Sequence, residues 1–189
     1  MHPLRQHIEK IISLSDTEFE HVLSHFEHKS LRKHQYLVQE GEYDKYDNWV
    51  IKGCLKAFYT NSDGKEHILQ FAIEDWWVAD YDAYFNTLQA TINVDCMEPC
   101  EILQISLANR EKLCTDLHKM EYFFRQKITN GYVALQKRIL SLLSNNPQER
   151  YEEFIRLYPT LKDRIPKKYI AAYLGVSRET LSRLYSNNS

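Results

Sequence analysis

The last part of the chain carries side chains that match the hydrogen-bonding edges of DNA bases. Arg178, Glu179, Ser182, Arg183 and Ser186 are spaced so that they share the outer face of a short helix. An Arg guanidinium can donate two hydrogen bonds to guanine, and a Glu carboxylate can accept one from the amino group of cytosine. The chemistry that this face favours is therefore the reading of base edges.

A compact pair of helices must present that face, and residues 166–184 meet its requirements. Ala171 is small enough for two helices to cross, and Gly175, four positions later, can adopt a left-handed turn. Ser177 is a good N-cap for the second helix, and Pro166 suits the start of the first. Apolar side chains face inward from both helices: Ile170, Leu174, Val176, Leu181 and Leu184. The start of the first helix is suited to phosphate contacts through Lys167, Lys168 and Tyr169.

The pattern predicts a helix-turn-helix. A plain helical hairpin with a charged outer face is the alternative, but it would not need Ala, Gly and Ser at these spacings. The charge distribution agrees: residues 1–118 carry 11 Lys and Arg against 20 Asp and Glu, whereas residues 119–189 carry 13 against 6. A basic C-terminal part fits a polyanion.

The part of the chain upstream is typical of a β-sandwich or a small barrel. Short segments rich in Val, Ile and aromatic residues alternate with turn residues, and Asp63-Gly64 is a hairpin signal. We expect about eight strands, enclosing side chains or one small ligand. The segments are residues 35–39, 49–51, 54–59, 67–71, 92–96 and 101–106.

Residues 119–143 predict a long helix that Asn146-Pro147 ends. Its apolar residues recur at nearly heptad spacing, which favours a dimer interface. The alternative is that the stripe packs on the chain's own barrel, and both can hold along different parts of the helix. The stripe consists of Phe124, Ile128, Leu135, Ile139 and Leu142.

These elements predict an α+β fold with three parts. A sensor domain of the double-stranded β-helix (jelly-roll) type covers residues 1–118, a dimerisation helix covers residues 119–143, and an all-α helix-turn-helix domain covers residues 144–189. The whole order resembles the Crp/Fnr family of bacterial regulators, which combine a cyclic-nucleotide-binding-type β-roll with a C-terminal helix-turn-helix. Gly41 and Gly53 match turn glycines of that family, and residues 177–183 resemble its recognition helix, in which Arg178, Glu179 and Arg183 would read a palindromic site.

The sequence departs from the family in two places. It ends soon after the recognition helix, which resembles short members that lack a β-hairpin wing. No Lys or Arg occurs between Lys65 and Arg110, where cyclic-nucleotide-binding members hold the phosphate. Since a buried phosphate needs a cation or a group of N–H donors, we expect weak or no cyclic AMP binding. The residues found there would suit an apolar, aromatic or cationic effector. The alternative is that they only fill the interior of the barrel. They are Trp76, Trp77, Asp80, Tyr81, Tyr84 and Phe85.

We expect no metal and no cofactor. His21, His25 and His28 share a helical stretch, but the sequence shows no Cys or carboxylate placed to complete a closed site. The chain has no Cys before Cys54, which disfavours the iron–sulfur sensing that the family resemblance raises. His67 is the single His between His34 and His118, which disfavours haem and also a metal-dependent enzyme of the cupin type.

The function expected is a homodimeric, sequence-specific transcription regulator, not an enzyme. Its expected partners are palindromic double-stranded DNA, a second copy of the chain, an unknown small-molecule effector and, through the resemblance, RNA polymerase. The alternative is a ligand-binding or scaffold protein whose degenerate helix-turn-helix serves protein interaction. The absence of an apolar N-terminal segment and of a run long enough to span a membrane predicts a cytoplasmic protein.

Overall fold

A computed structural model describes residues 1–187, with side chains described as far as Leu184. Two helices come first, the strands lie within residues 27–106 with one helix among them, and helices alone follow. The elements are α1 Pro3–Ile8, α2 Asp16–Leu23, β1 Glu27–Leu31, β2 Tyr36–Val38, β3 Tyr46–Lys52, β4 Leu55–Thr60, β5 Glu66–Ala72, β6 Trp77–Val78, α3 Tyr81–Asn86, β7 Asn93–Cys96, β8 Cys100–Ser106, α4 Leu107–Asp116, α5 Lys119–Ser144, α6 Pro147–Leu157, α7 Leu161–Arg164, α8 Lys167–Leu174 and α9 Arg178–Asn187.

The strands form two four-stranded sheets that pack on one another. One sheet has the order β1-β8-β3-β6 and the other β2-β7-β4-β5. Strand β8 pairs antiparallel with β1 and β3, and β7 pairs antiparallel with β2 and β4. Apolar side chains from both sheets meet in one buried cluster that includes Val50, Ile102, Leu55 and Val94. Because side chains alternate along a strand, the next residue on either side of each of these positions faces away from the cluster.

The outer face of the β1-β8-β3-β6 sheet is covered by helices. Trp49, Leu103 and Ile105 alternate with the inner residues and pack against α1, α2, α4 and the first turns of α5. A capping box of Ser15 and Glu18 begins α2. This second buried layer fixes α2 and α4 beside one another.

Contacts along the chain divide it into two units. One consists of Met1–Tyr59 and Gln70–Thr129, and the other of Thr60–Leu69 and Asn130–Ser189. Helix α5 matches the predicted residues 119–143 to within one residue, and the boundary between the two units falls within it. Its successor α6 has Pro147 in its first turn and a capping box of Asn146 and Glu149.

The six predicted strand segments are all present, and two strands were not foreseen. Strand β1 is largely exposed and carries no apolar run, while β6 has two residues. No helix among residues 1–187 is both long and apolar enough to cross a membrane.

Candidate nucleic-acid interface and sensor region

The connection between α8 and α9 is a sharp turn at Gly175. Gly175 has φ 67° and ψ 36°, and its N–H donates to the carbonyl oxygen of Ala171. The N–H of Val176 donates to the same oxygen at 3.0 Å. This positive φ is the conformation for which glycine is favoured. The turn therefore ends α8 where the sequence predicts it.

Ser177 organises the start of α9. Its Oγ accepts a hydrogen bond from the N–H of Thr180 at 3.1 Å, which is N-cap geometry. Ser177 also hydrogen-bonds the Glu179 carboxylate, and this contact is the largest cause of a lowered Glu179 pKa. The charges of Arg178 and Arg183 lower the pKa of Glu179 further. Glu179 is therefore an ionised acceptor at neutral pH.

The outward and inward faces of the α8–α9 pair are separated as the pattern requires. Arg178, Glu179, Ser182 and Arg183 are exposed on α9, and the side chain of Ser186 lies outside the described residues. On α8, Lys167 and Lys168 are exposed and Tyr169 is half-buried, with the Lys168 ammonium 4.5 Å from the centre of the Tyr169 ring. The inward side chains Ile170, Leu174, Leu181 and Leu184 are buried, and Val176 is half-buried.

Two arginines that no sequence motif indicates bind the C-terminal end of α8. The Arg138 guanidinium of α5 donates to the carbonyl oxygen of Tyr173 and lies 3.7 Å above the Tyr173 ring. Arg150 of α6 donates to the carbonyl oxygen of Leu174 at 2.9 Å and to that of Asn145 at 2.6 Å. Cations suit a helix C-terminus because the last carbonyl groups lack partners within the helix.

The apolar stripe predicted on α5 is buried at its first position and exposed at the other four. Phe124 is a correction: it is 3% exposed and packs in the core of the first unit, with its ring 6.1 Å from that of Trp77. It therefore has no free surface for a second chain. The remaining four positions are exposed: Ile128 at 39%, Leu135 at 54%, Ile139 at 49% and Leu142 at 44%. Further exposed apolar residues on α5 are Tyr132, Val133, Leu140 and Leu143.

The residues predicted to form an effector pocket do not share one cavity. Trp76 packs against the cluster between the sheets, whereas Trp77 packs in the outer layer. The Trp77 indole N–H donates to Nε2 of His7 at 2.9 Å. Asp80 is buried as the N-cap of α3. Packing and hydrogen bonds within the protein already engage these three side chains.

Asp80 accepts four hydrogen bonds. The donors are the N–H groups of Ala83, Thr91 and Ile92, at 3.2, 2.7 and 3.3 Å, and the Thr91 hydroxyl at 3.1 Å. Helix N-termini and loop N–H groups are the donors that an anionic ligand would use. Here a carboxylate of the protein itself occupies them.

The other three predicted pocket residues surround a buried charge pair. The Tyr81 hydroxyl donates to Oδ1 of Asp47 at 3.1 Å, and the Arg110 guanidinium lies 3.6 Å from Oδ2 of Asp47. Burial raises the pKa of Asp47 to about 6, against the opposing effect of Arg110. Arg110 also lies 5.1 Å from the Phe85 ring centre. In the sequence, Arg110 is only the end of an interval without Lys or Arg, and nothing near it indicates the pairing with Asp47.

Two open grooves border α3 and α4. One has a volume of about 530 Å³ and is lined by Phe85, Arg110, Cys114, His118 and Glu121 among others. The other, of about 350 Å³, is lined by Tyr43, Asp44, Tyr84 and Leu107 among others. Phe85 and Tyr84 thus face separate grooves at the surface of the first unit.

Comparisons with known proteins agree with this architecture. Residues 28–116 match the cyclic nucleotide-binding domain family. FixK2 from Bradyrhizobium japonicum has a similar fold, with a TM-score of 0.71 at 18% identity over 86% of this chain and 83% of that one. The c-di-GMP responsive global regulator CLP from Xanthomonas campestris gives 0.72 at 14% identity over 92% and 91%. A CooA mutant from Carboxydothermus hydrogenoformans gives 0.69 at 17% identity over 88% and 77%. No curated protein matches the chain by sequence.

Proposed function

We propose that this protein is a homodimeric, sequence-specific DNA-binding transcription regulator of the Crp/Fnr type. The observation that carries the proposal is the α8–α9 pair, with its left-handed turn at Gly175, its N-cap at Ser177 and its charged outer face. We interpret this pair as a helix-turn-helix whose recognition helix is α9. The similarity of the fold to FixK2, CLP and CooA supports the same interpretation.

The residues of the outer face divide into two roles. Arg178 and Arg183 are long, exposed donors for the O6 and N7 atoms of guanine, and the ionised Glu179 is an acceptor for the amino group of cytosine. Ser182 is exposed beside them, and Ser177 serves mainly as the cap. Lys167, Lys168 and Tyr169 on α8 would contact phosphates and fix the register without selecting a sequence.

Dimerisation would use the exposed apolar face of α5. Leucine and isoleucine side chains about half exposed along four turns are costly in water, and a second copy would bury them. A two-fold axis along α5 would place two copies of α9 in successive major grooves, about 34 Å apart. The site read by the dimer would then be a palindrome.

The sandwich of the first unit would act as a sensor of the jelly-roll type, without binding cyclic AMP. Asp80 already occupies one N–H donor of α3, that of Ala83, and two N–H donors in the segment before β7. The nearby Asp44 and Asp47 add negative charge. An effector would instead occupy the groove beside Phe85 and Arg110 and favour the DNA-binding state of the dimer.

Selection from a random duplex DNA pool tests the DNA-binding proposal. Wild type is compared with Arg178→Ala/Arg183→Ala and with Arg32→Ala/Lys33→Ala, which removes the same positive charge from exposed positions of the first unit. We expect wild type and the control to enrich one palindrome containing G·C pairs, and the α9 variant to enrich none. Equal, salt-sensitive binding by all three would contradict sequence reading. It would favour the scaffold alternative.

The oligomeric state tests the dimer. Ile139→Asp is compared with Leu157→Asp, which places the same charge on an equally exposed apolar position of α6. Sedimentation equilibrium should give a dimer for wild type and Leu157→Asp, and a monomer for Ile139→Asp. A wild-type monomer, or a dimer unaffected by Ile139→Asp, would contradict the α5 interface.

A further inference from the structure

Two histidines and an aspartate lie together in the first unit, where two of the three side chains are exposed. His21 is in the last turn of α2, and His25 follows one helical turn later. Asp116 is the final residue of α4. One donor atom from each of the three lies within 4.8 Å of the others, and Nε2 of His21 lies 3.5 Å from Oδ2 of Asp116. His21 and His25 are close in sequence, whereas Asp116 is distant along the chain, so the spacing of the histidines does not indicate the carboxylate.

The ring of His25 is fixed by a hydrogen bond to the backbone. Its Nδ1 donates to the carbonyl oxygen of His21 at 2.9 Å, so Nε2 carries the lone pair. The side chain is 7% exposed, and its ring lies 4.7 Å from the ring of His21 at 75°. Such a bond from the second ring nitrogen to a carbonyl group is what orients histidine in metal sites.

The same region ties α2 to α4. The Asn109 side-chain amide of α4 donates to the carbonyl oxygen of His25 at 3.2 Å. His21 and Asp116 are 42% and 39% exposed, so both can rotate toward a common centre while His25 stays fixed. Ligands bound to one zinc ion lie about 3.3 Å apart, a closure that these exposed side chains can make.

We propose that His21, His25 and Asp116 bind a divalent transition-metal ion of the zinc class. Two imidazoles and one carboxylate suit Zn²⁺, Co²⁺ or Ni²⁺ rather than Mg²⁺ or Ca²⁺, which prefer oxygen ligands. Three protein ligands leave a coordination position for solvent. The bound ion would link α2 to the end of α4, three residues before α5 begins. This proposal does not depend on DNA binding.

Titration with Co²⁺ and Zn²⁺ tests the site in the full chain, freed of any affinity tag and of bound metal. We expect one ion per chain at micromolar concentration, a Co²⁺ visible spectrum displaced by Zn²⁺, and no competition from Mg²⁺. His21→Ala and Asp116→Asn change exposed residues and should weaken Zn²⁺ binding by about 100-fold or more, since loss of supporting partners alone costs about 10–100-fold.

His28→Ala is the matched control. His28 is also exposed and also faces a carboxylate, with its Nε2 3.6 Å from Glu101, but it lies outside the cluster. It should leave the affinity for Zn²⁺ unchanged. Binding only at millimolar concentration, or equal affinity in the wild type, His21→Ala and His28→Ala proteins, would overturn the proposal. Circular dichroism of each metal-free variant verifies that it is folded.

Discussion

Replacement of Gly53 by Ala should destabilise the sandwich more than any other glycine substitution in the first unit. Gly53 lies between β3 and β4 with φ +109°. A Cβ there would lie 2.6 Å from Sγ of Cys100, 2.8 Å from the carbonyl oxygen of Pro99 and 2.9 Å from Cα of Cys100. Two of these three atoms belong to the backbone, so no side-chain rotation relieves the contact.

Two costs add at Gly53. The unusual φ costs about 1–3 kcal/mol for a residue with a side chain, and overpacking a close-packed region costs about 1–3 kcal/mol. We therefore expect Gly53→Ala to lower the free energy of unfolding by about 2–6 kcal/mol. Gly41→Ala is the control, because Gly41 also has a positive φ of +85° but nothing lies within 4 Å of its Cβ position. Gly41→Ala should lower the free energy of unfolding only by the cost of the unusual φ, about 1–3 kcal/mol.

Urea unfolding followed by tryptophan fluorescence measures the difference. Trp49, Trp76 and Trp77 are all the tryptophans of the chain, and all lie in the first unit, so the signal reports that unit alone. Gly53→Ala should lose at least about 1 kcal/mol more than Gly41→Ala. Equal losses for the two variants would refute the close approach of Gly53 to the Pro99–Cys100 backbone.

Two further predictions concern a buried histidine and a helix cap. Burial lowers the pKa of His7 to about 4, so the unfolded chain takes up this proton first as pH falls. The free energy of unfolding of wild type minus that of His7→Gln should be constant above about pH 6.5 and should fall by roughly 1–3 kcal/mol between pH 6.5 and pH 4. A difference that does not change with pH in urea titrations would contradict this. Ser177→Ala should cost the second unit about 1 kcal/mol and Ser177→Asp almost nothing, as seen by helical circular dichroism on heating; equal melting of both variants would contradict the cap.

Local signals made the α8–α9 pair predictable from sequence. Gly175, Ser177 and Pro166 each restrict the backbone within a few residues, so their spacing indicates the turn and the helix starts directly. The long helix was predictable for the same reason, because its apolar period is continuous and Pro147 ends it.

Contacts between distant residues were not predictable. The period of the α5 stripe shows which face is apolar but not what covers it, and the core of the first unit covers Phe124. Asp116 joins His21 and His25 only because the outer layer sets α4 beside α2. The aromatic residues near α3 looked like one pocket because they are adjacent in sequence, whereas strand alternation sends Trp76 and Trp77 to opposite sides of the sheet.

Arg138 of α5 and Arg150 of α6 both bind the C-terminal end of α8, and these contacts determine which C-terminal fragments can fold by themselves. A fragment that begins with α6 would keep Arg150 but lose Arg138, and the carbonyl oxygen of Tyr173 would lose its guanidinium donor. The Tyr173 ring would also lose the cation stacked on it. The smallest autonomous C-terminal fragment should therefore start within α5, upstream of Arg138, and a graft of the α8–α9 pair onto another protein must carry that stretch of helix with it.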